Sequence, residues 1–286
     1  MTIETPGTDL RLRAELMEHM CGVAPVPDGG MRDEGPGAFT YGCTSREKLT
    51  SLSMTHPVLG VVLRGTKEVW LGDTATALPS GTVFALPRGV TLDVLNIPDP
   101  RSGFYQSLLI EVADLPPGVA PLDEREVRAP AATSDFAIPL SRDLVDAIGN
   151  ARRDLADPEA KTEICRHRIA EILLLLRRTP QARVLFHQSL GDRIRWLVRG
   201  QPTEDWQVGS LAPRFGMAGS TLRRHLAAEG TGLRDVIRAA RMDAARDALA
   251  AGLSAGQAAE LAGYSSRSHF ARRFREAYGV NPADFA

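Results

Sequence analysis

Hydrophobic and polar positions change rhythm several times along the chain. Residues 8–20 carry Leu12, Leu16 and Met20 four apart, which predicts one face of a short amphipathic helix with Asp9 as its N-cap. From Cys21 to about Val127 the texture becomes short β-rich runs: Val58–Leu63, Lys67–Leu71, Thr82–Leu86, Thr91–Leu95 and Phe104–Val112. Turn signals separate them at Arg64-Gly65, Gly72-Asp73, Pro79-Ser80-Gly81, Pro87-Arg88-Gly89 and Pro98-Asp99-Pro100. Strands spaced roughly ten residues apart predict a sandwich or small barrel. After Pro130 the strands stop, and helices are expected over about Ser141–Ala156 and Pro158–Arg178, the second opened by Asp157-Pro158. Its apolar residues Ile164, Ile169, Ile172, Leu173 and Leu176 suit burial within the chain or against a second copy. Residues Pro180–Arg183 read as a hinge before an all-helical tail.

One supersecondary pattern occurs twice in that tail. The first copy runs Ser210–Leu226 and the second Ala258–Phe274. In each, an alanine (Ala212, Ala259) stands four residues before a glycine (Gly216, Gly263). An apolar i,i+4 pair follows, Leu222/Leu226 or Phe270/Phe274. This is the grammar of a helix-turn-helix: a small residue where two helices cross, a glycine free to take positive φ, and the buried stripe of the second helix. The second turn is one residue longer. On a helical wheel the face opposite each stripe holds Ser220, Arg223, Arg224 and Ala227, and then Ser268, Ala271, Arg272 and Arg275 with Arg267 at the flank. A helix presenting Ser and Arg at its N-terminal end suits a DNA major groove, where a guanidinium can fork to guanine O6 and N7. His225 and His269, beside the stripes, read as packing or surface residues.

Charge sharpens this reading. The net charge of −1 hides an acidic body and a basic tail: residues 191–286 hold 14 Arg, no Lys and 10 Asp+Glu, leaving 20 basic and 25 acidic groups in residues 1–190. Guanidinium forks suit bidentate contacts to phosphate or guanine. Apolar residues make up 43% and charged residues 24%, ordinary for a soluble protein with real cores. The longest aliphatic run, Ile172–Leu176, is far short of the roughly 20 residues that span a bilayer, and the first residues lack a secretory pattern. Cys21, Cys43 and Cys165 form no C-x-x-C pair, which argues for a reducing cytoplasm.

Residues 191–286 resemble the DNA-binding domain of AraC/XylS-type bacterial transcription regulators. The resemblance rests on Leu211-Ala212, Gly216-Met217, Ser220–Arg224, Arg241-Met242, Ala245-Arg246, Leu249, Ala262–Ser266, His269–Phe274 and Tyr278–Pro282. It implies two helix-turn-helix units bridged by a long helix, about Leu233–Ala250, reading successive major grooves about 34 Å apart. Base-reading positions would be Ser220, Arg223 and Arg224, then Arg267, Ser268, Ala271 and Arg272. The chain departs from that pattern in three ways. Ala218 stands where a capping serine is usual, which passes capping to Ser220; Ala271 can read only a thymine methyl; and Ala286 replaces a basic residue.

The same family commonly joins a cupin-like β-barrel to this tail, and residues 40–125 resemble one, with Pro79–Gly89 similar to the second cupin motif. Leu92 stands where a metal-binding cupin has a ligand histidine, and His19 and His56 are far apart, so no metal or cofactor is expected. Candidate effector residues are His56, Arg64, Trp70, Tyr105 and Glu111; Glu124 and Glu126 read as solvated loop charges. The resulting expectation is a multidomain α+β chain. Residues 1–130 form a cupin-like sensor, 131–186 a helical linker with dimerisation helices, and 187–286 the DNA-binding domain. The expected function is a cytoplasmic, sequence-specific regulator acting as a homodimer with double-stranded DNA, a small-molecule effector and RNA polymerase. Alternatives are a cupin-type metal enzyme with a nucleic-acid-binding appendage and a ligand-blind regulator.

Overall fold

The computed structural model describes residues 6–26, 29–35, 37–122, 135–155 and 162–285. Two compact units divide the chain, residues 1–187 and 188–286. The first is mixed α+β and the second is helical.

The first unit opens with α1 (Pro6–His19), whose Leu12 and Leu16, with Met20 just beyond, are buried as the four-residue spacing predicts. It starts three residues before Asp9, so Asp9 lies in the first turn instead of capping it. Among the described residues ten strands follow: β1 (Gly30–Gly35), β2 (Ala38–Cys43), β3 (Glu47–Ser53), β4 (Val58–Arg64), β5 (Thr66–Leu71), β6 (Thr74–Pro79), β7 (Val83–Leu86), β8 (Thr91–Ile97), β9 (Tyr105–Glu111) and β10 (Ala137–Ile138). They form an antiparallel six-stranded sheet, β1-β2-β9-β4-β7-β10, and a four-stranded sheet, β3-β8-β5-β6. A bridge between Met54 and Arg88 links the two. Val58, Val62, Phe84 and Tyr105 of the larger sheet share one core with Val69, Leu78 and Leu92 of the smaller.

Strand β4 is buried on both faces, because its second face meets helices. Those are α2 (Arg142–Leu155), whose Leu144 N–H is capped by Ser141 Oγ at 3.2 Å, and α3 (Thr162–Leu176). A small apolar cleft there is lined by Leu59, Val61, Leu108, Ile110, Ile148 and Ile172. The apolar stripe expected on the second of these helices is divided. Ile172, Leu173 and Leu176 are buried inside the unit, while Ile164 is exposed together with Leu174 and Leu175. A 3-10 turn, Pro180–Phe186, closes the unit. The Asp157-Pro158 cap, Glu124, Glu126 and Ala286 lie outside the described residues.

In the second unit α4 (Leu190–Gly200), α5 (Val208–Arg214) and α6 (Gly219–Ala228) precede α7, which spans Leu233–Ala250 as the resemblance implies. Then come α8 (Ala255–Leu261) and α9 (Arg267–Tyr278). Helix α7 divides its buried face between two cores. Val236 and Ala240 join Ile194, Leu211, Phe215, Leu222 and Leu226, whereas Met242, Ala245, Ala248 and Leu249 join Ala258, Ala259, Phe270 and Phe274. Among the described residues, no helix is long and apolar enough to cross a membrane.

Candidate nucleic-acid interface

Both copies of the repeated pattern fold alike. After α5, Gly216 takes φ 63° and the Met217 N–H donates to Ala212 C=O at 3.1 Å. After α8, Gly263 takes φ 77° and the Tyr264 N–H donates to Ala259 C=O at 2.9 Å. The same six-residue closure at a left-handed glycine ends both helices and swings the chain into the next. Ala212 and Ala259 are buried at the crossings, and Leu222/Leu226 and Phe270/Phe274 are buried beneath the second helices.

The opposite faces are open. Ser220, Arg223, Arg224 and Ala227 on α6 are exposed, as are Arg267, Ser268, Arg272 and Arg275 on α9; Ala271 is half-buried. His225 and His269 are exposed, and the His269 ring packs edge-on against Tyr264. Capping differs from the expectation at Ser220. Helix α6 begins at Gly219, its cap position is Ala218 with no side-chain bond, and Ser220 is the second helical residue. Ser220 lies inside the first turn with its side chain toward solvent, so it is not taken up by capping. In α9 the cap is Ser266, whose side chain accepts from the His269 N–H at 3.3 Å.

The tail's 14 arginines fall into two classes. One class is consumed by the fold. Arg199 reaches Asp247 at 2.6 Å, and Arg195 lies 3.8 Å from Asp243, which also accepts from Tyr278 Oη at 2.8 Å. Burial and that carboxylate push the Tyr278 phenol up. Arg246 stacks over the Tyr278 ring, and Arg241 donates to the carbonyls of Pro202 and Glu204. Arg193 and Arg214 lie over the Phe215 and Trp206 rings, each 4.9 Å from the centroid. Arg238 pairs with Asp235, and Arg273 with Glu276 at 2.7 Å. The other class is exposed: Arg223, Arg224, Arg234, Arg267 and Arg275 make no side-chain hydrogen bond or ion pair among the described residues. Arg272 lies between, 3.9 Å from Glu276. The Arg273 hydrogen bond holds the Glu276 carboxyl below its ordinary range, so it stays charged beside Arg272. Arg234, on the first turn of α7, was not a sequence candidate; nothing in its spacing separates it from Arg238 and Arg241, which the fold consumes.

Polar ties also fix the entry to this unit. The Glu229 carboxylate, at the end of α6, accepts from the Leu190 and Gly191 N–H groups, both at 2.9 Å. Ser189 and Asp192 form a reciprocal capping box at the same helix start.

In the first unit the five candidate effector residues do not converge. His56 and Glu111 lie at one end of the β4–β9 pair, and Arg64 and Tyr105 at the other. Trp70 turns away from the core, 37% exposed, because its neighbours Lys67 and Val69 hold the inward positions of β5. Arg64 packs over the Phe104 ring, and Tyr105 is fully buried.

Comparison with known proteins bears on the second unit. A helix-turn-helix domain family matches residues 211–286. The chain is 32% identical over 95 residues to the DNA-binding dual transcriptional regulator Rns of Escherichia coli, covering 33% of this chain and 36% of that one. It is 35% identical over 133 residues to the regulator VirS of Mycobacterium tuberculosis, covering 46% and 36%. The chain thus spans about a third of the length of these curated relatives. A crystal structure of ToxT from Vibrio cholerae aligns over 87% of this chain and 95% of its own, at 12% identity and a TM-score of 0.36. The paired left-handed turns and the shared bridging helix lie in the C-terminal unit, where residues 211–286 match this helix-turn-helix domain family.

Proposed function

We propose that the chain is a sequence-specific DNA-binding transcription regulator. The observation that carries this reading is the division of the arginines. Ion pairs and ring stacking consume those beneath and between the helices, whereas Arg223, Arg224, Arg267 and Arg275 stand free among the described residues on the two second helices. Leaving exposed guanidinium groups uncompensated supports an anionic partner, and their place on the outer faces of α6 and α9 supports two adjacent major grooves of duplex DNA. Arg224, Arg267 and Arg272 are the candidate base readers, with Ser220, Arg223, Ser268, Ala271, Arg275 and Arg234 as flanking or phosphate contacts.

In this reading the first unit is a cupin-like effector-binding module, and the protein works in the cytoplasm as a homodimer that engages RNA polymerase. The exposed side of α3 supports a second copy as its occupant. Antiparallel pairing about Ile169 and Ala170 sets Ile164 against the partner's Leu175 and Arg168 against the partner's Glu171. Substituting Leu174 and Leu175 by Lys then yields monomers in sedimentation, with the fold retained; unchanged dimers contradict the pairing.

The test of DNA binding is selection and sequencing of duplexes retained by the purified chain, followed by affinity against salt. A defined motif and a steep negative slope, about −0.9 per phosphate contact, are expected. Retention of unrelated sequences with equal affinity overturns the reading.

A further inference from the structure

The interior of the first unit holds a charge that no ion pair among the described residues neutralises. Lys67, on β5, is 5% exposed, and its Nζ donates to Asn96 Oδ1 at 2.7 Å across the β5–β8 ladder. Among the described residues it makes no ion pair. Its surroundings are the rings of Tyr105, 5.2 Å from Nζ, and Phe84, 5.9 Å away, with the Cys43 thiol nearby. Glu47 is the neighbouring carboxylate, but Tyr41 Oη holds it by a hydrogen bond at the half-buried rim. Three more polar groups have no partner among the described residues: Asn96 Nδ2, on the residue that Lys67 bonds, Tyr105 Oη, on the ring beside Lys67, and Ser107 Oγ, next to Tyr105 on β9, all on fully buried residues. The Tyr105 and Ser107 hydroxyls are neighbours on one face of β9 but close no hydrogen bond of good geometry.

Buried charges are ordinarily paired and buried polar groups ordinarily bonded. An ammonium beside two rings, with three unpartnered groups able to donate on buried strands of the same two sheets, is complementary to an acceptor-rich anion with a flat or apolar remainder. One positive charge matches a monoanion better than a doubly charged phosphate. We infer that the interior of the β-sandwich binds the carboxylate of a small organic acid, with Lys67 as its counter-ion and Asn96, Tyr105 and Ser107 as hydrogen-bond donors. This assignment rests on reading the first unit as effector-binding. Burial draws the Lys67 ammonium down to about 8, so it is still mainly charged at neutral pH. Of the other titratable groups facing it, burial pushes the Cys43 thiol up to about 11 and raises the Tyr41 and Tyr105 phenols further; the Glu47 carboxylate remains engaged at the rim.

The experiment is calorimetric titration of the full chain with formate, propanoate, benzoate and inorganic phosphate, with DNA affinity measured on the same samples. The carboxylates bind and phosphate does not, and binding weakens as pH rises from 7 to 9 through the Lys67 transition. Lys67→Met, which keeps the volume and removes a buried charge, lowers carboxylate affinity at least about tenfold. Ser107→Ala lowers it less while leaving the ligand-free fold equally or more stable, since it removes an unsatisfied hydroxyl. Carboxylate binding unchanged in Lys67→Met, phosphate binding at least as tight as carboxylate, or no carboxylate binding at all overturns the assignment. Intact DNA binding in that last case leaves the regulator reading standing. Carboxylate binding that never alters DNA affinity instead keeps the site and removes its effector role.

Discussion

The two helix-turn-helix units share one grammar and differ in how firmly it is held. The second is fastened throughout. Ser254 and Gln257 form a capping box on α8, Ser266 caps α9, and Gly279 ends α9 at φ 76° with its N–H on Arg275 C=O. Beneath α9, Phe270, Phe274, Tyr278 and Phe285 form a chain of ring contacts. In the first helix-turn-helix, α6 starts at Gly219 after Ala218, has no side-chain cap, and rests on aliphatic Leu222 and Leu226. Its firm tie is at the far end, through Glu229. The arginines differ in one respect: Arg223 and Arg224 are both free on the looser helix among the described residues, whereas on the rigid one Glu276 stands beside Arg272 while Arg267 and Arg275 stay free. Under the proposed DNA-binding reading, the better-capped α9 is the more preorganised of the two helices.

The largest effects test whether the cores are separate. Phe274→Ala should cost about 3–5 kcal/mol and Leu222→Ala about 2–5 kcal/mol, read by urea denaturation. Amide exchange should show each loss centred on its own half of α7, near Met242–Leu249 or near Val236–Ala240. Equal loss of protection in both halves from either variant would merge the two cores into one.

Next in size is recognition. Arg224→Ala should cost about 1–3 kcal/mol on the selected duplex and relax preference at one base position in the first half-site. Arg272→Ala should act in the second half-site and cost less, because Arg272 already has Glu276 near it. Glu276→Gln should tighten binding slightly and steepen the salt dependence. A larger loss from Arg272→Ala than from Arg224→Ala would reverse the assignment of free and restrained readers.

The smallest effects concern caps. Ala218→Ser should stabilise α6 by about 0.5–2 kcal/mol, and Ser266→Ala should destabilise α9 by a similar amount. Thermal denaturation checks both, and Ala218→Ser should also slow amide exchange at the start of α6. No gain from Ala218→Ser would mean that Val208, which a Cβ at Gly219 would meet at 2.7 Å, already fixes that turn.

Legibility in the sequence follows how directly a residue's neighbours decide its place. Both turns were readable, because glycine, small residues and apolar spacing act over a few positions, whereas the long helix Leu233–Ala250 came from the family resemblance. The runs that became β4, β5, β7, β8 and β9 were readable for the same reason. Strand β1 was not: Gly30–Gly35 carries three charged residues and pairs only with β2 at the sheet edge, so little is buried to leave a pattern. In β6 only Leu78 is buried, and a proline ends the strand. Strand β3, half-buried with a positive φ at Ser51 and a register shift, breaks the alternation that would have revealed it. Cap assignment failed at Ser220 and Asp9, since the helix start depends on packing one turn away. The Lys67 cluster carried a usable signal, because Lys67 shares parity with Val69, and Asn96 with Leu92 and Val94. A charged residue among alternating positions reads as solvent-facing until the second sheet is seen to cover it.

The proposed recognition puts α6 and α9 into two successive grooves. Dimethyl sulfate protection of guanine N7 on the selected duplex measures this directly. Two protected clusters, about 10 base pairs apart on one face, are expected, with Arg224→Ala erasing one and Arg267→Ala with Arg272→Ala erasing the other. A single cluster, or two that vanish together with either substitution, would contradict it.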